Sequence, residues 1–130
     1  MPHTTKYKRG DIVLVDFDFS EGTGSKKRPA LIISSDNYHK GRQEVIVAAI
    51  TGNIKRVLFG DTKIDKWKEA GLIYPSLVTG IIRTIKNNMI IHKLRNGGLA
   101  SDSQSHNLGT LLQQDFQKVQ KNLGKAMGID

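Results

Sequence analysis

The sequence has 130 residues, no cysteine and a formal net charge of +8, with 38% hydrophobic and 25% charged residues. This length and composition predict a single globular domain spanning residues 1–130. Without cysteine, disulfides, thiolate metal sites and cysteine nucleophiles are excluded. The excess positive charge creates a field that attracts polyanions, so nucleic acid is the expected partner. A positive surface that only aids solubility is the alternative.

No segment of the sequence has the pattern of a targeting or membrane-spanning element. The amino terminus, MPHTTKYKRGD, lacks the apolar run of a signal peptide. Nowhere do about 18 apolar residues follow one another, which is the length that a membrane helix needs. We therefore expect a cytoplasmic protein that does not engage a membrane.

The first half of the sequence predicts three strands separated by polar loops. The first alternates apolar and polar residues, which is typical of a strand with one buried face. The second and third are nearly continuous apolar runs, which are typical of well-buried strands. The predicted strands are 11–19, 30–35 and 45–51, and the predicted loops are 20–27 and 36–41.

The second half predicts shorter strands, a helical turn and a hairpin. One or two strands are expected within 55–64, followed by a helical turn over 65–70 that Asp65 caps and Gly71 ends. Strands over 76–85 and 89–94 are expected to form a hairpin, because the two asparagines between them tolerate the positive φ of a tight turn.

The tail of the sequence has a different period. Apolar residues recur at three- and four-residue steps, which predicts an amphipathic helix that begins near Asp102. These residues are Leu108, Leu111, Leu112, Phe116, Val119 and Leu123. Short strands followed by one long helix predict a mainly β fold, in which the helix packs on a curled antiparallel sheet or small barrel.

Several short blocks carry a family resemblance through their order and spacing. They are Arg9-Gly10-Asp11, Arg28-Pro29 followed by ALIISSD, AAIT ending at Thr51, Pro75-Ser76 and Ile82-Arg83-Thr84-Ile85. Across roughly residues 9 to 99, these blocks resemble the MazF/PemK toxins of type II toxin–antitoxin systems. The resemblance implies an SH3-like small barrel of the CcdB/PemK type, with a short inserted helix and a C-terminal helix.

The resemblance also implies an activity, its partners and two catalytic residues. The expected protein is a homodimer that cleaves single-stranded RNA without a cofactor and is neutralised by a MazE-like antitoxin. In such toxins the residues at the positions of Arg28 and Thr51 act at the scissile phosphate. An arginine offers planar paired donors to phosphate oxygens, and a threonine hydroxyl can donate to another. By themselves, Arg28 also suits an ion pair and Thr51 a structural role in a strand.

Six further residues are expected to contact RNA. They are Ser20, Lys26, Lys27, Gly52, Arg83 and Lys86. The two adjacent lysines form a positive cluster with Arg28, whereas Arg83 either contacts RNA, supports Arg28 or forms a salt bridge. Lys86 stands where many relatives have an aspartate, so no general base is assigned. Trp67 and Tyr74 are candidates for base stacking, and Trp67 also suits packing of its helical turn onto the barrel.

No metal site is expected, and two other functions are compatible with the fold. His3, His39, His92 and His106 are scattered without ligand spacing, and the carboxylates form no cluster. A CcdB-like toxin would poison DNA gyrase by binding without hydrolysis. A non-catalytic SH3-like module would bind RNA with steep salt dependence and cleave nothing.

Overall fold

The computed structural model describes residues 7–16, 27–93 and 109–129. Six strands form one antiparallel sheet in the order β4-β5-β3-β2-β1-β6. The strands are β1 (Ile12–Asp16), β2 (Lys27–Ile32), β3 (Glu44–Thr51), β4 (Thr62–Lys63), β5 (Leu77–Lys86) and β6 (Ile90–Lys93). The helices are α1 (Asp36–His39) and α2 (Gln113–Met127), and a 3₁₀ turn spans Asn87–Met89. Within these ranges, no helix combines the length and apolar character needed to span a membrane.

The link between β5 and β6 requires the sheet to curl. β5 pairs with β3, whereas β6 pairs with β1 at the far edge of the sheet. Only the three residues of the 3₁₀ turn join the two strands. Because so short a link cannot cross a flat sheet, the two edges must approach each other, as in a barrel. The mainly β, SH3-like architecture expected from the resemblance is confirmed.

The central strands are buried on both faces, since successive residues of a strand point to opposite sides of the sheet. One apolar cluster includes Val13, Ala30, Val47, Ile85 and Ile90. It gathers side chains from strands near both edges and so lies inside the curl. The other cluster contains neighbouring residues of the same strands together with side chains of α2, which covers the outer face. Burial on both faces explains why these strands are nearly continuous apolar runs.

Helix α2 begins later than the apolar period predicts. Phe116, Val119 and Leu123 are buried, as the three- and four-residue spacing requires. The preceding residues are not helical, because Gly109 has a positive φ of 56° and Thr110 forms a β-bridge with Asp11. The predicted start near Asp102 is therefore wrong for 109–112, and 102–108 lie outside the described residues.

One loop prediction was also wrong, and the prediction of one or two short strands is confirmed for one strand. The predicted loop over 36–41 contains α1, because the Ser35 hydroxyl caps it by accepting a hydrogen bond from the Tyr38 N–H at 3.2 Å. The strands expected within 55–64 reduce to β4. The preceding residues instead form turns held by Asp61, whose carboxylate accepts the N–H groups of Leu58 and Gly80.

The predicted hairpin after β5 is replaced by a different connection. Neither Asn87 nor Asn88 has a positive φ, and both belong to the 3₁₀ turn. The returning strand β6 pairs with β1 instead of β5. A tight hairpin would keep β6 beside β5, whereas the 3₁₀ turn directs the chain across to the opposite edge. The expected extension of β1 to Phe19 lies outside the described residues.

A side chain of α2 caps the segment over residues 65–70, which consists of turns instead of a regular helix. The fully buried carboxylate of Asp115 accepts hydrogen bonds from the N–H groups of Asp65, at 3.2 Å, and Lys66, at 2.8 Å. Asp65, which was expected to be the cap, forms an ion pair with Lys118 instead. Gly71 ends the segment with a φ of 95°.

Candidate active site at the ends of β2 and β3

Antiparallel pairing brings Arg28 and Thr51 to the same place in the sheet. Arg28 lies near the start of β2, and Thr51 is the last residue of β3. The two strands pair Leu31 with Ala48 and Ala30 with Ala49. Extending this register by two residues would set Arg28 across from Thr51, and both residues line the same cavity. Residues directly opposite in an antiparallel pair project from the same face of the sheet.

An irregularity in the neighbouring strand pair lies near the end of β3. The register between β3 and β5 shifts between Ala48 and Ile50. Thr79 satisfies the interrupted ladder, because its hydroxyl donates to the Ala49 carbonyl at 2.8 Å and accepts from the Ile81 N–H at 3.1 Å. Such bulges increase local twist, and Thr51 lies just beyond this one.

A cavity of about 430 Å³ opens beside these two strand ends. It is lined by Leu14, Lys27, Arg28, Pro29, Ile50, Thr51, Gly52, Gly71, Leu72, Ile73, Tyr74 and Ser76. Lys27 and Arg28 are its charged groups, and these lining residues include no carboxylate and no imidazole. The cavity therefore favours an anionic ligand. Across the ranges that the structure describes, no group of three or more histidine, aspartate or glutamate side chains is placed to hold a metal ion.

Arg28 has a donor in this cavity that none of the described residues satisfies. The side chain is half-buried, and its Nε is buried without a hydrogen-bond partner among the described residues. An unsatisfied buried donor costs about 1–3 kcal/mol. Because a guanidinium carries five N–H donors and no acceptor, the group that satisfies it must supply acceptor oxygens, as a phosphate does.

Thr51 is held in a way that leaves its hydroxyl proton available. Its Oγ1 accepts a hydrogen bond from the Asn53 N–H at 3.1 Å. A threonine hydroxyl has one donor and two acceptor positions, so this contact orients the oxygen without using its O–H. The half-buried Thr51 can thus donate to an oxygen of a ligand that also contacts Arg28.

The opposite wall of the cavity comes from the segment before β5. The Tyr74 ring passes over Gly52 so closely that a Cβ on Gly52 would lie 2.5 Å from its Cε1 atom. The buried Ser76 hydroxyl donates to the Tyr74 carbonyl at 2.9 Å, which fixes the backbone of this wall. The sequence reasoning did not nominate Ser76 as a site residue, although the Pro75-Ser76 block was a signal that could have identified it.

The other residues nominated from the sequence are divided by the structure. Lys27 and Gly52 line the cavity with Arg28 and Thr51. Arg83 and Lys86 are exposed on β5 and do not line it; they pair with Val47 and Glu44. Glu44 is the first residue of β3 and Thr51 the last, so Lys86 lies roughly 20 Å along the sheet from the cavity. Ser20 and Lys26 lie outside the described residues.

Comparisons with known proteins identify the family of the chain and structures with a similar fold. The model of the PemK-like, MazF-like toxin family of type II toxin–antitoxin systems matches residues 8–127. The fold is similar to that of the Mycobacterium tuberculosis toxin MazF-mt6, with 23% identity, a TM-score of 0.67 and coverage of 92% of this chain and 98% of that chain. No curated protein sequence matches the chain.

Two further solved structures with a similar fold contain a toxin and its antitoxin. One is an endoribonuclease in complex with its cognate antitoxin from a mycobacterial species, with 15% identity, a TM-score of 0.67 and coverage of 95% of this chain and 97% of that chain. The other is a MazE–MazF structure from Deinococcus radiodurans, with 15% identity, a TM-score of 0.65 and the same coverage. These likenesses show the fold, and the family model extends over nearly the whole sequence. The chain belongs to the PemK-like, MazF-like toxin family of type II toxin–antitoxin systems.

Proposed function

We propose that this toxin is a sequence-specific endoribonuclease that cleaves single-stranded RNA without a metal ion. One observation carries the proposal: Arg28 and Thr51 line the same cavity, and the charged groups of its lining are cationic. A phosphodiester supplies the acceptor oxygens that the buried Nε of Arg28 lacks. RNA also carries its own nucleophile, so the protein needs only to position the phosphate and stabilise charge.

The reaction follows from the chemistry of RNA. The 2′-hydroxyl of a ribose loses its proton to solvent while its oxygen forms a bond to the adjacent phosphorus. The bond from phosphorus to the 5′-oxygen breaks, and the leaving oxygen gains a proton, so the proton count is unchanged. The products are a 2′,3′-cyclic phosphate and a 5′-hydroxyl. Arg28 stabilises the charge that develops on the nonbridging oxygens, and the Thr51 O–H donates to one of them. No general base is assigned, because the lining residues include neither a carboxylate nor an imidazole.

We further propose that the toxin works in the cytoplasm as a homodimer and is neutralised by a MazE-like antitoxin. Two of the similar solved structures are complexes of this kind, one of an endoribonuclease with its cognate antitoxin and one of MazE with MazF. The net charge of +8 favours a partner with acidic segments, which would compete with RNA for the same positive surface.

The test is to incubate the purified protein with a labelled RNA in EDTA and to sequence the new ends. We expect 5′-hydroxyl ends at a defined short sequence and 2′,3′-cyclic phosphates on the upstream fragments. A matched RNA with one 2′-deoxynucleotide before the cleaved bond should stay intact, because it lacks the nucleophile. Intact ribose RNA would contradict the proposal. In that case, gyrase inhibition would indicate the CcdB-like function, and salt-sensitive RNA binding the non-catalytic module.

A further inference from the structure

An exposed aromatic ring stands at the rim of the cavity. Tyr74 is 55% exposed although its ring lies against the Gly52 backbone. Its neighbour Ile73 is 67% exposed and also lines the cavity. Large apolar groups at the mouth of a cationic cavity serve no evident packing purpose, because neither belongs to the apolar clusters around the sheet. They can contact a ligand that enters the cavity.

Contacts on both sides fix the position of the Tyr74 ring. On one side, Gly52 has no side chain, and a Cβ there would be 2.5 Å from Cε1 and 3.1 Å from Cδ1 of Tyr74. On the other side, the Ser76 hydroxyl holds the Tyr74 carbonyl. The ring is therefore placed directly beside the residue that follows Thr51. A ligand phosphate at Thr51 would have its neighbouring nucleotide within reach of the ring.

We propose that Tyr74 stacks on the base of one of the two nucleotides that flank the scissile phosphate. This inference rests on the proposed function. Base–aromatic stacking tolerates every base, since each base has a flat π-face. A base can lie on the ring only when it is unstacked and unpaired, as in single-stranded RNA. Tyr74 thus selects single strands, while the choice of sequence comes from other contacts.

The test is a thermodynamic cycle that combines Tyr74→Ala with the removal of one base from the RNA. An oligonucleotide with a 2′-deoxynucleotide at the cleaved position is used, so that Kd is measured without cleavage. We expect Tyr74→Ala to raise Kd between about fivefold and a hundredfold. An abasic nucleotide at one of the two flanking positions should raise Kd of the unaltered protein by a similar factor. The same abasic RNA should add little in Tyr74→Ala.

Two more variants separate stacking from a general disturbance of the cavity. Tyr74→Phe keeps the ring and should restore most of the affinity that Tyr74→Ala loses. Gly52→Ala displaces the ring, so this substitution alone should weaken RNA binding. Added to Tyr74→Ala, it should weaken binding by a smaller factor, because the ring is already absent. The matched control is Tyr38→Ala, because Tyr38 lies on α1 beside Ser35, outside the cavity lining, and contacts Arg42. It should bind RNA as the unaltered protein does.

The outcomes for stacking and for catalysis can be told apart. Failure of the unaltered protein to cleave RNA would contradict the proposed function, whereas the binding cycle can still be measured by moving the abasic position along the oligonucleotide. If Tyr74→Ala binds RNA with the Kd of the unaltered protein, the stacking role is wrong. It is also wrong if, at every abasic position, the factors by which the variant and the abasic nucleotide raise Kd simply multiply, because the two changes are then independent. At saturating RNA, Tyr74→Ala should retain cleavage, because the residue acts in binding and not at phosphorus.

Discussion

Two charged side chains withdrawn from solvent, Arg28 and Asp115, lie in contrasting surroundings. Asp115 is fully buried in the first turn of α2, and its carboxylate accepts two backbone N–H groups of the turn segment. Lys118 lies 3.9 Å away and balances its charge. Arg28 is only half-buried, yet its buried Nε has no hydrogen-bond partner among the described residues.

The difference separates a charge that is satisfied within the fold from one that the proposed function assigns to ligand binding. A buried charge is tolerated when hydrogen bonds and opposite charges replace the lost water. Asp115 meets that condition within the protein, so it ties α2 to the chain that leads into the cavity wall. Arg28 does not meet it among the described residues, and under the proposed function the RNA phosphate supplies the acceptors. Removing Asp115 should therefore cost stability, and removing Arg28 should cost activity.

The largest expected effect is the loss of RNA cleavage in the variant Arg28→Ala. We expect the rate of RNA cleavage to fall about a thousandfold or more, because a preorganised charge next to phosphorus is lost. The melting temperature should be unchanged or slightly higher, since an unsatisfied buried donor is removed. Single-turnover cleavage of an end-labelled RNA and thermal melting by circular dichroism measure the two quantities.

The matched control for this variant is Arg42→Ala. Arg42 is also exposed to solvent in part, but it is paired with Glu44 at 2.7 Å and contacts Tyr38, away from the cavity. Cleavage by Arg42→Ala should equal that of the unaltered protein. A loss of activity of the same size in both variants would mean that general positive charge, and not the place of Arg28, supports the reaction.

The second largest expected effect is a loss of stability in the variant Asp115→Ala. The free energy of unfolding should fall by about 2–4 kcal/mol, because two N–H groups lose their buried acceptor. Urea titration monitored by the fluorescence of Trp67 measures this change. Asp65→Ala, which removes only the exposed partner of Lys118, should have little effect. Equal losses in the two variants would show that the ion pair, and not the buried cap, holds the segment.

The smallest expected effect concerns His39, whose surroundings should make the stability of the protein depend on pH. His39 is buried, its Nε2 lies 2.6 Å from the Ser34 hydroxyl, and its buried Nδ1 has no hydrogen-bond partner among the described residues. Burial lowers the pKa of His39 below 6.5, although Asp36 and Asp11 act in the opposite direction. Like Arg28 it has an unsatisfied nitrogen, but it lines no part of the cavity.

The folded protein thus favours the neutral form of His39 more than the unfolded protein does, so stability should depend on pH. Its contribution is complete above about pH 6.5, where the unfolded state is also neutral. As the pH falls through that value toward the lower folded pKa, the unfolded state binds more protons and stability decreases. The slope is at most about 1.4 kcal/mol per pH unit, as one proton allows. Urea titrations between pH 5 and 7.5 should show a smaller slope in His39→Gln; an unchanged slope would assign the dependence to other groups.

The sequence alone predicted the architecture because local patterns carry it. Continuous apolar runs predicted strands buried on both faces, and the apolar period of the tail predicted the covering helix, although that helix starts at Gln113. Arg28 and Thr51 were nominated through short blocks whose order resembles a toxin family. Each apolar run, and each single block, lies within a short stretch of sequence, the range over which propensity and period act, and the order of the blocks can be read along the chain without the fold.

Only the tertiary structure decided which of these pieces meet. The curl of the sheet pairs β6 with β1, and the pairing of β2 with β3 brings the ends that carry Arg28 and Thr51 to one cavity. Long-range contacts also lay Tyr74 over Gly52 and make Asp115 the cap of a segment 49 residues earlier in the chain. Such contacts depend on strand register and on the packing of whole elements, which no short window of sequence encodes.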